Sequence, residues 1–506
     1  MGVVTATPQP SDPPASSETS GTDRTGVRPS SGPATPLADA GLPLGALDGR
    51  YRRSIAPLVE HLSEAALNRE RVHVEVEWLI HLTETGAVPG ARPLTAPEKA
   101  SLRQMVTDFD AADVDELAEL ERSTVHDVKA VEYFVKRRMT GDLADLSELV
   151  HFCCTSEDVN NLAYALMVRG AVRQVWWPSA TAVVDDVTAL ALSLRDVPML
   201  ARTHGQPATP TTLGKELAVL AHRLRRQLAR VTSAEYLGKI NGATGTFAAH
   251  VAAVPSTDWV QVSRSFVEGL GLTWNPLTTQ IESHDWQAEL YADVARFNRV
   301  LHNLCTDVWT YISLGYFTQV LDSEGKGATG SSTMPHKVNP IRFENAEANL
   351  EVSCALLDVL GSTLVTSRLQ RDLTDSSMQR NIGTAFGHSM VALDNVRRGL
   401  RGLAASPEAM AADLDANWEV LGEAVQSAMR AAGIAGTPGM DTPYERLKEL
   451  TRGRRVDGPA MRAFIASLGL PADVAQRLAA LTPATYTGVA SQLVDYLEER
   501  RSGVRG

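Results

Sequence analysis

Between Gly325 and Asn345 the chain reads GKGATGSSTMPHKVNPIRFEN. Two serines, two lysines, a histidine and two asparagines fall in a stretch that cannot be the middle of a helix or strand. Gly325, Gly327 and Gly330 relax its backbone, while Pro335 and Pro340 remove donors and fix φ. A polar, glycine-hinged loop between helical stretches is where chemistry tends to sit. The opening also fits G-x-G-x-x-G, but that fingerprint needs a strand before it and a helix opening after it. A helical pattern precedes Gly325 and Pro335 follows Gly330, so a dinucleotide loop is rejected.

Other breaks in the helical pattern carry reactive side chains. His204 stands in Arg202–Pro210, where Pro207 and Pro210 forbid a regular helix, and it is expected to face a cavity rather than a core. His126 beside Asp127 reads equally as a helix start or as an oriented donor. Thr155 and Ser156 can cap the helix that follows or meet an anion there. Asp48–Tyr51 reads as a capped loop, or as an arginine fork with an aromatic ring for an anionic ligand. Arg368–Asn381 holds three arginines and reads as a salt-bridged surface turn.

The elements between these breaks are helical. Residues 58–85 carry apolar side chains at spacings of three and four, and Thr95 before Glu98 marks a capping box. Trp177–Leu194 and the stripe Leu213, Leu217, Leu220, Leu224, Leu228 are further helices, the second backed by four arginines facing solvent or another subunit. The longest pattern, Asp285–Phe317, implies a helix of roughly 50 Å that needs partners along its length. Phe343–Leu364 and Tyr444–Leu450 continue the series, with turns expected at Gly439 and Gly458. The expected class is all-α, with three helical domains and a long central bundle.

At 506 residues the chain exceeds one ordinary core. The expected division is a disordered tail over 1–41, an N-terminal helical domain over 42–145, a central bundle over 146–398 carrying a loop over 322–345, and a C-terminal helical domain over 399–506. The tail is Pro, Ser, Thr and Gly and cannot offset the entropy of ordering. No apolar run reaches membrane-spanning length and no secretory signal opens the chain. The four cysteines are not spaced as a zinc site or disulfide framework, Cys153 and Cys154 are expected to be buried, and a reducing cytoplasm is expected. A net charge of −12 argues against a general nucleic-acid or anionic-membrane surface.

Taken together, Gly330–Pro340 (GSSTMPHKVNP) resembles the signature of the fumarase/aspartase superfamily of lyases. Five further blocks resemble its bacterial adenylosuccinate lyase family: Thr203–Pro210, His126–Phe134, Thr155–Asp158, Gln370–Asn381 and Leu447–Gly453. The THGQPATP and QRDLTDS blocks separate that family from argininosuccinate lyase, fumarase and aspartase. Retention of Ser331, Lys337 and His204 separates it from inactive structural proteins on the same scaffold.

The resemblance implies elimination of fumarate across a C–N bond, from adenylosuccinate to give AMP and from the succinylated aminoimidazole carboxamide ribotide SAICAR to give AICAR. It implies Ser331 as general base and His204 as general acid, with Lys337 and Asn339 meeting the doubly charged intermediate. Arg50, Tyr51, Arg371, Ser376 and Arg380 match positions contacting the nucleotide part. His126, Asp127, Thr155, Ser156, Gln280, Ser332, Val338 and Asn345 match other substrate contacts. Neither metal nor organic cofactor is implied, and the partners are small-molecule substrates and three further copies of the chain in a homotetramer with shared sites. Val125, Thr246–Ala248 and Arg342 depart from the family pattern.

Overall fold

The computed structural model describes residues 44–319, 338–451 and 456–499. The expected tail over 1–41 and the residues Ser331, Ser332 and Lys337 lie outside them. The class is all-α as expected. The helices are α1 (Arg52–Leu62), α2 (Glu64–Thr85), α3 (Ala96–Thr107), α4 (Ala111–Thr124), α5 (Asp127–Arg138), α6 (Ser156–Gly170), α7 (Trp177–Ser193), α8 (Leu213–Thr232), α9 (Ala248–Ala253) and α10 (Trp259–Gly269). They continue with α11 (Asp285–Ser313), α12 (Ile341–Leu364), α13 (Thr374–Gln379), α14 (Ile382–Arg401), α15 (Pro407–Asp415), α16 (Gly422–Ile434), α17 (Pro443–Thr451), α18 (Gly458–Ser467) and α19 (Ala472–Ala479). Strands are two or three residues long, among them β1 (Pro198–Met199), β2 (Arg202–Thr203), β3 (Gln206–Pro207) and β4 (Thr211–Thr212). β1 pairs with β4 and β2 with β3, both antiparallel.

Five long helices form the bundle: α11 packs on α8 and α12, α12 on α14, α14 on α7, and α7 on α8. The α11 stripe Phe297, Leu301, Leu304 and Val308 is fully buried, as are Phe343 and Leu350 of α12. A buried polar chain crosses these layers. Trp176 Nε1 donates to Ser389 Oγ (2.9 Å), Ser389 to Asn298 Oδ1 (2.9 Å), and Asn298 to Ser353 Oγ (3.1 Å). Each member finds a partner, so these groups cost little to bury. Smaller cores lie under α2–α5, around Leu79 and Phe134, and under α16–α19, around Met429 and Met461.

Several elements differ from the sequence reading for identifiable reasons. The run 58–85 is broken at Ser63, whose hydroxyl accepts from Ala66 N (3.1 Å) and starts α2 afresh. The long helix ends at Ser313 rather than Phe317, because Phe317 enters a short strand; its 29 residues span about 43 Å. Gly458 is the first residue of α18, capped by Asp457, and not a turn. Residues Ala171–Trp176 carry α6 directly into α7 as a π-helical turn.

Candidate active site

Helix starts and the segment around Arg371 bring six of the expected contact residues into one network. His126 is the N-cap of α5, and its Nδ1 accepts from Lys129 N (3.1 Å). The neutral ring therefore carries its proton on Nε2, which lies 3.4 Å from Ser156 Oγ. Asp127 accepts from the buried Arg71 (2.7 Å) and lies 3.7 Å from Arg380 Nη2. Burial alone would raise the Asp127 pKa; the Arg71 charge and hydrogen bond outweigh it and hold the carboxylate below its ordinary range. Arg380 also pairs with Glu64.

Next to Ser156, Glu157 accepts from Arg371 Nη1 (2.6 Å), and Arg371 Nη2 reaches Ser376 Oγ (3.3 Å). His126, Asp127, Ser156, Arg371, Ser376 and Arg380 are thus linked through side chains and one shared helix start. Thr155 is the N-cap of α6, and its N–H donates to Asp158 (2.9 Å). Asp158 is fully buried against Lys239 Nζ (2.8 Å) and accepts from Asn241 N and Gly242 N (3.0 Å each). That pin fixes the 239–243 segment, whose Ala243 carbonyl accepts from Gln280 Nε2 (3.0 Å).

A second group forms where α12 begins. Asn345 Nδ2 donates to the Tyr51 hydroxyl (2.9 Å) while its Oδ1 accepts from Asn395 (2.9 Å). Arg50, beside Tyr51, is exposed and makes no ion pair among the described residues. Val338 and Asn339 are half-buried on the approach to α12.

His204 belongs to neither group. It is exposed at the tip of the β2–β3 hairpin. The two tip residues, His204 (φ 54°) and Gly205 (φ 75°), have positive φ as in a primed two-residue turn. Arg202 and Tyr316 meet at Asp413, and Thr209 bonds Glu423, which ties the hairpin to the C-terminal helices. Among the described residues His204 itself makes no hydrogen bond or ion pair.

Backbone strain concentrates here. The described non-glycine residues with positive φ are Val125, His151, Cys153, His204, Phe247, His284 and Leu369. Val125, Cys153 and Leu369 lie within two residues of His126, Thr155 and Arg371, and His204 is itself an expected site residue. Left-handed backbone costs on the order of 1–3 kcal/mol per such residue and gathers at functional sites. Cys153 and Cys154 are half-buried free thiols in this strained stretch, not fully buried as expected.

The sequence reading did not single out Arg71, Glu157, Lys239, His284 or Asp375, all of them buried. Glu157 and Asp375 sit inside blocks that were recognised, next to residues given roles. Their signal was a charged residue on the inward side of a helix start. Arg71 sits mid-helix and gives no comparable sign.

Residues 49–354 match the family model described as "Lyase", and 367–487 the one described as "Adenylosuccinate lyase C-terminal". The chain is 46% identical over 456 residues to the adenylosuccinate lyase of Haemophilus influenzae, covering 90% of this chain and 98% of that one. It is 47% identical over 454 residues to that of Escherichia coli K12, covering 89% and 98%. Among solved structures, a fumarate lyase from Mesorhizobium sp. BNC1 shares the fold with a TM-score of 0.70 at 19% identity, covering 87% of this chain and 97% of that one.

Proposed function

Since the chain belongs to the adenylosuccinate lyases, we propose that its named residues perform that family's elimination in the roles set out below. The enzyme is a carbon–nitrogen lyase that cleaves adenylosuccinate to AMP and fumarate, and we extend the reading to SAICAR. Ser331 takes the proton from the carbon next to a carboxylate, and the electron pair builds the aci-carboxylate, which Lys337 and Asn339 stabilise. Collapse of that intermediate breaks the C–N bond, and His204 gives the leaving nitrogen its proton. Arg371, Ser376, Arg380, Arg50 and Tyr51 hold the nucleotide part. His126, Asp127, Thr155, Ser156, Gln280, Ser332, Val338 and Asn345 shape the remainder.

The observation that carries this reading is the linked set from His126 through Ser156 and Arg371 to Arg380. It presents arginine forks and helix starts to an anionic ligand. The exposed His204 hairpin supports a shared site: an acid standing clear of its own chain's contact network fits a neighbour's. Val219 of α8, Trp309 of α11, and Val352 and Val359 of α12 are exposed apolar residues on bundle helices, as helix-to-helix association of subunits requires. We read the assembly as a homotetramer, the chain as three helical domains bounded near 145 and 398, and the location as the cytoplasm. No described helix is long and apolar enough to cross a membrane.

The deciding experiment follows fumarate release by ultraviolet absorbance in the wild type, Ser331→Ala and His204→Ala. Each variant should lose turnover by roughly two or more orders of magnitude while still binding adenylosuccinate. Mixing the two inactive variants should restore part of the activity, because a shared site can then draw Ser331 and His204 from different chains. Normal turnover in Ser331→Ala refutes the base, and an active monomer in analytical ultracentrifugation refutes the shared site.

A further inference from the structure

His284 opens the longest helix of the bundle and has no part in the chemistry above. Its φ of 59° is left-handed and its side chain is almost fully buried. Its Nε2 lies 3.4 Å from Asp375 Oδ2, and its backbone N–H donates to Glu282 (2.9 Å), itself held by Asn275 (2.9 Å). Asp375 Oδ1 lies 3.6 Å from Arg371 Nη2, and Glu157 accepts from Arg371 Nη1 (2.6 Å). The second Glu157 oxygen, Oε1, is buried with no hydrogen-bond partner among the described residues. One polar atom each from Glu157, His284 and Asp375 lies within 4.8 Å of the others. Three separate segments thus deliver two carboxylates, one guanidinium and one imidazole to a single buried spot behind Ser376.

Counting charges decides what this spot needs. Glu157 and Asp375 around Arg371 leave a surplus negative charge in a dry place, which is costly; the buried Glu282 beside them is met by the Asn275 amide and the His284 N–H rather than by a cation. An imidazolium at His284 cancels it. A divalent ion would cancel it too, but it would have to sit against the fixed charge of Arg371.

We propose that His284 is a positioning residue for the reaction: as an imidazolium paired with Asp375 and close to Glu157, it shares with Arg371 the charge of those carboxylates, so that the guanidinium they hold keeps an N–H for Ser376 and the ligand phosphate. Burial by itself would push the His284 pKa down, but the Asp375 hydrogen bond and the Glu157 and Glu282 charges outweigh it and hold it above the ordinary value. The inference rests on the reading that Arg371 contacts the nucleotide's phosphate.

The test compares Arg371→Ala, His284→Asn and the double variant Glu157→Gln/His284→Asn with the wild type. Asparagine tolerates left-handed backbone, so His284→Asn removes the charge and keeps the helix start. Glu157→Gln then restores neutrality. KM and kcat are measured with adenylosuccinate, and inhibition constants with AMP and with adenosine, which lacks the phosphate.

His284→Asn should raise KM about tenfold, the factor for roughly one charge-assisted hydrogen bond, with little change in kcat. The preference for AMP over adenosine should shrink by the same factor, and the double variant should regain most of both. An unchanged KM in His284→Asn beside a raised one in Arg371→Ala overturns the inference and leaves the function reading standing. An unchanged KM in Arg371→Ala overturns that reading of Arg371 instead. Equal weakening of AMP and adenosine would make His284 a merely structural residue. A chelator that reproduces the His284→Asn defect in the wild type would put a metal ion in its place, and either result sinks the proposal.

Discussion

Replacing Lys239 with methionine should be among the most damaging conservative changes in the chain. Lys239 and Asp158 both have 0% side-chain exposure and meet at 2.8 Å. Methionine fills most of the lysine stem but leaves the carboxylate without its counter-charge. Breaking a buried pair in this way costs about 3–5 kcal/mol, against about 0–1 for an exposed one. Asp158 would keep its N–H donors from Thr155 (2.9 Å), Asn241 (3.0 Å) and Gly242 (3.0 Å). A carboxylate so ringed by donors is not bare, which puts the expectation near the lower end, about 3 kcal/mol. The assay is urea unfolding followed by circular dichroism on the wild type, Lys239→Met, Asp158→Asn and the double variant. The double variant should cost less than the sum of the singles, because the orphaned charge is gone. A Lys239→Met cost below about 1 kcal/mol, or strict additivity, would refute the claim that this pair pins α6 to the 239–243 segment.

Two further outcomes follow from the same local geometry. Gly245 has φ 72°, and a Cβ there would sit 2.3 Å from the Thr278 carbonyl, so Gly245→Ala should cost about 1–3 kcal/mol. It should also raise KM by disturbing Gln280, and an unchanged melting temperature would count against it. His151 Nδ1 lies 2.6 Å from the buried Glu75. Burial alone would lower its pKa, but the Glu75 hydrogen bond and charge raise it overall. A raised folded value means stability that is complete below the ordinary pKa, about 6.5, and lost as pH rises through the folded value. The stability gap between wild type and His151→Asn should therefore be wider at about pH 6 than at about pH 9, and a gap that widens with pH contradicts the pairing.

The helices were legible because their apolar stripes are periodic, as in Leu213–Leu228 and Leu290–Val308. The capping box at Thr95–Glu98 was equally plain, since both of its hydrogen bonds are local. The break at Ser63 was not, because one serine inside an apolar run reads as an ordinary surface position until its hydroxyl finds Ala66 N. The expected contact residues were taken from their blocks. What joins them could not: Arg71–Asp127 spans 56 residues and Glu157–Arg371 spans 214. No local spacing encodes such pairs. His204 was expected out of the core because its prolines exclude a helix, but that they leave it at the tip of an exposed two-residue hairpin was not legible.

The π turn at Ala171–Trp176 has a bearing on which length changes the chain can accept. It closes i to i+5 and so holds one residue more than an α turn, each residue carrying about 100° of rotation. The side of α6 that meets α2 and the side of α7 that meets α8 are therefore set apart by that one residue. Deleting a residue here would regularise the helix yet swing Val183, Val184 and Val187 out of the bundle, while Ser156 stayed at its post. Between the capped start of α6 and the core of the bundle, the chain is thus counted to the residue.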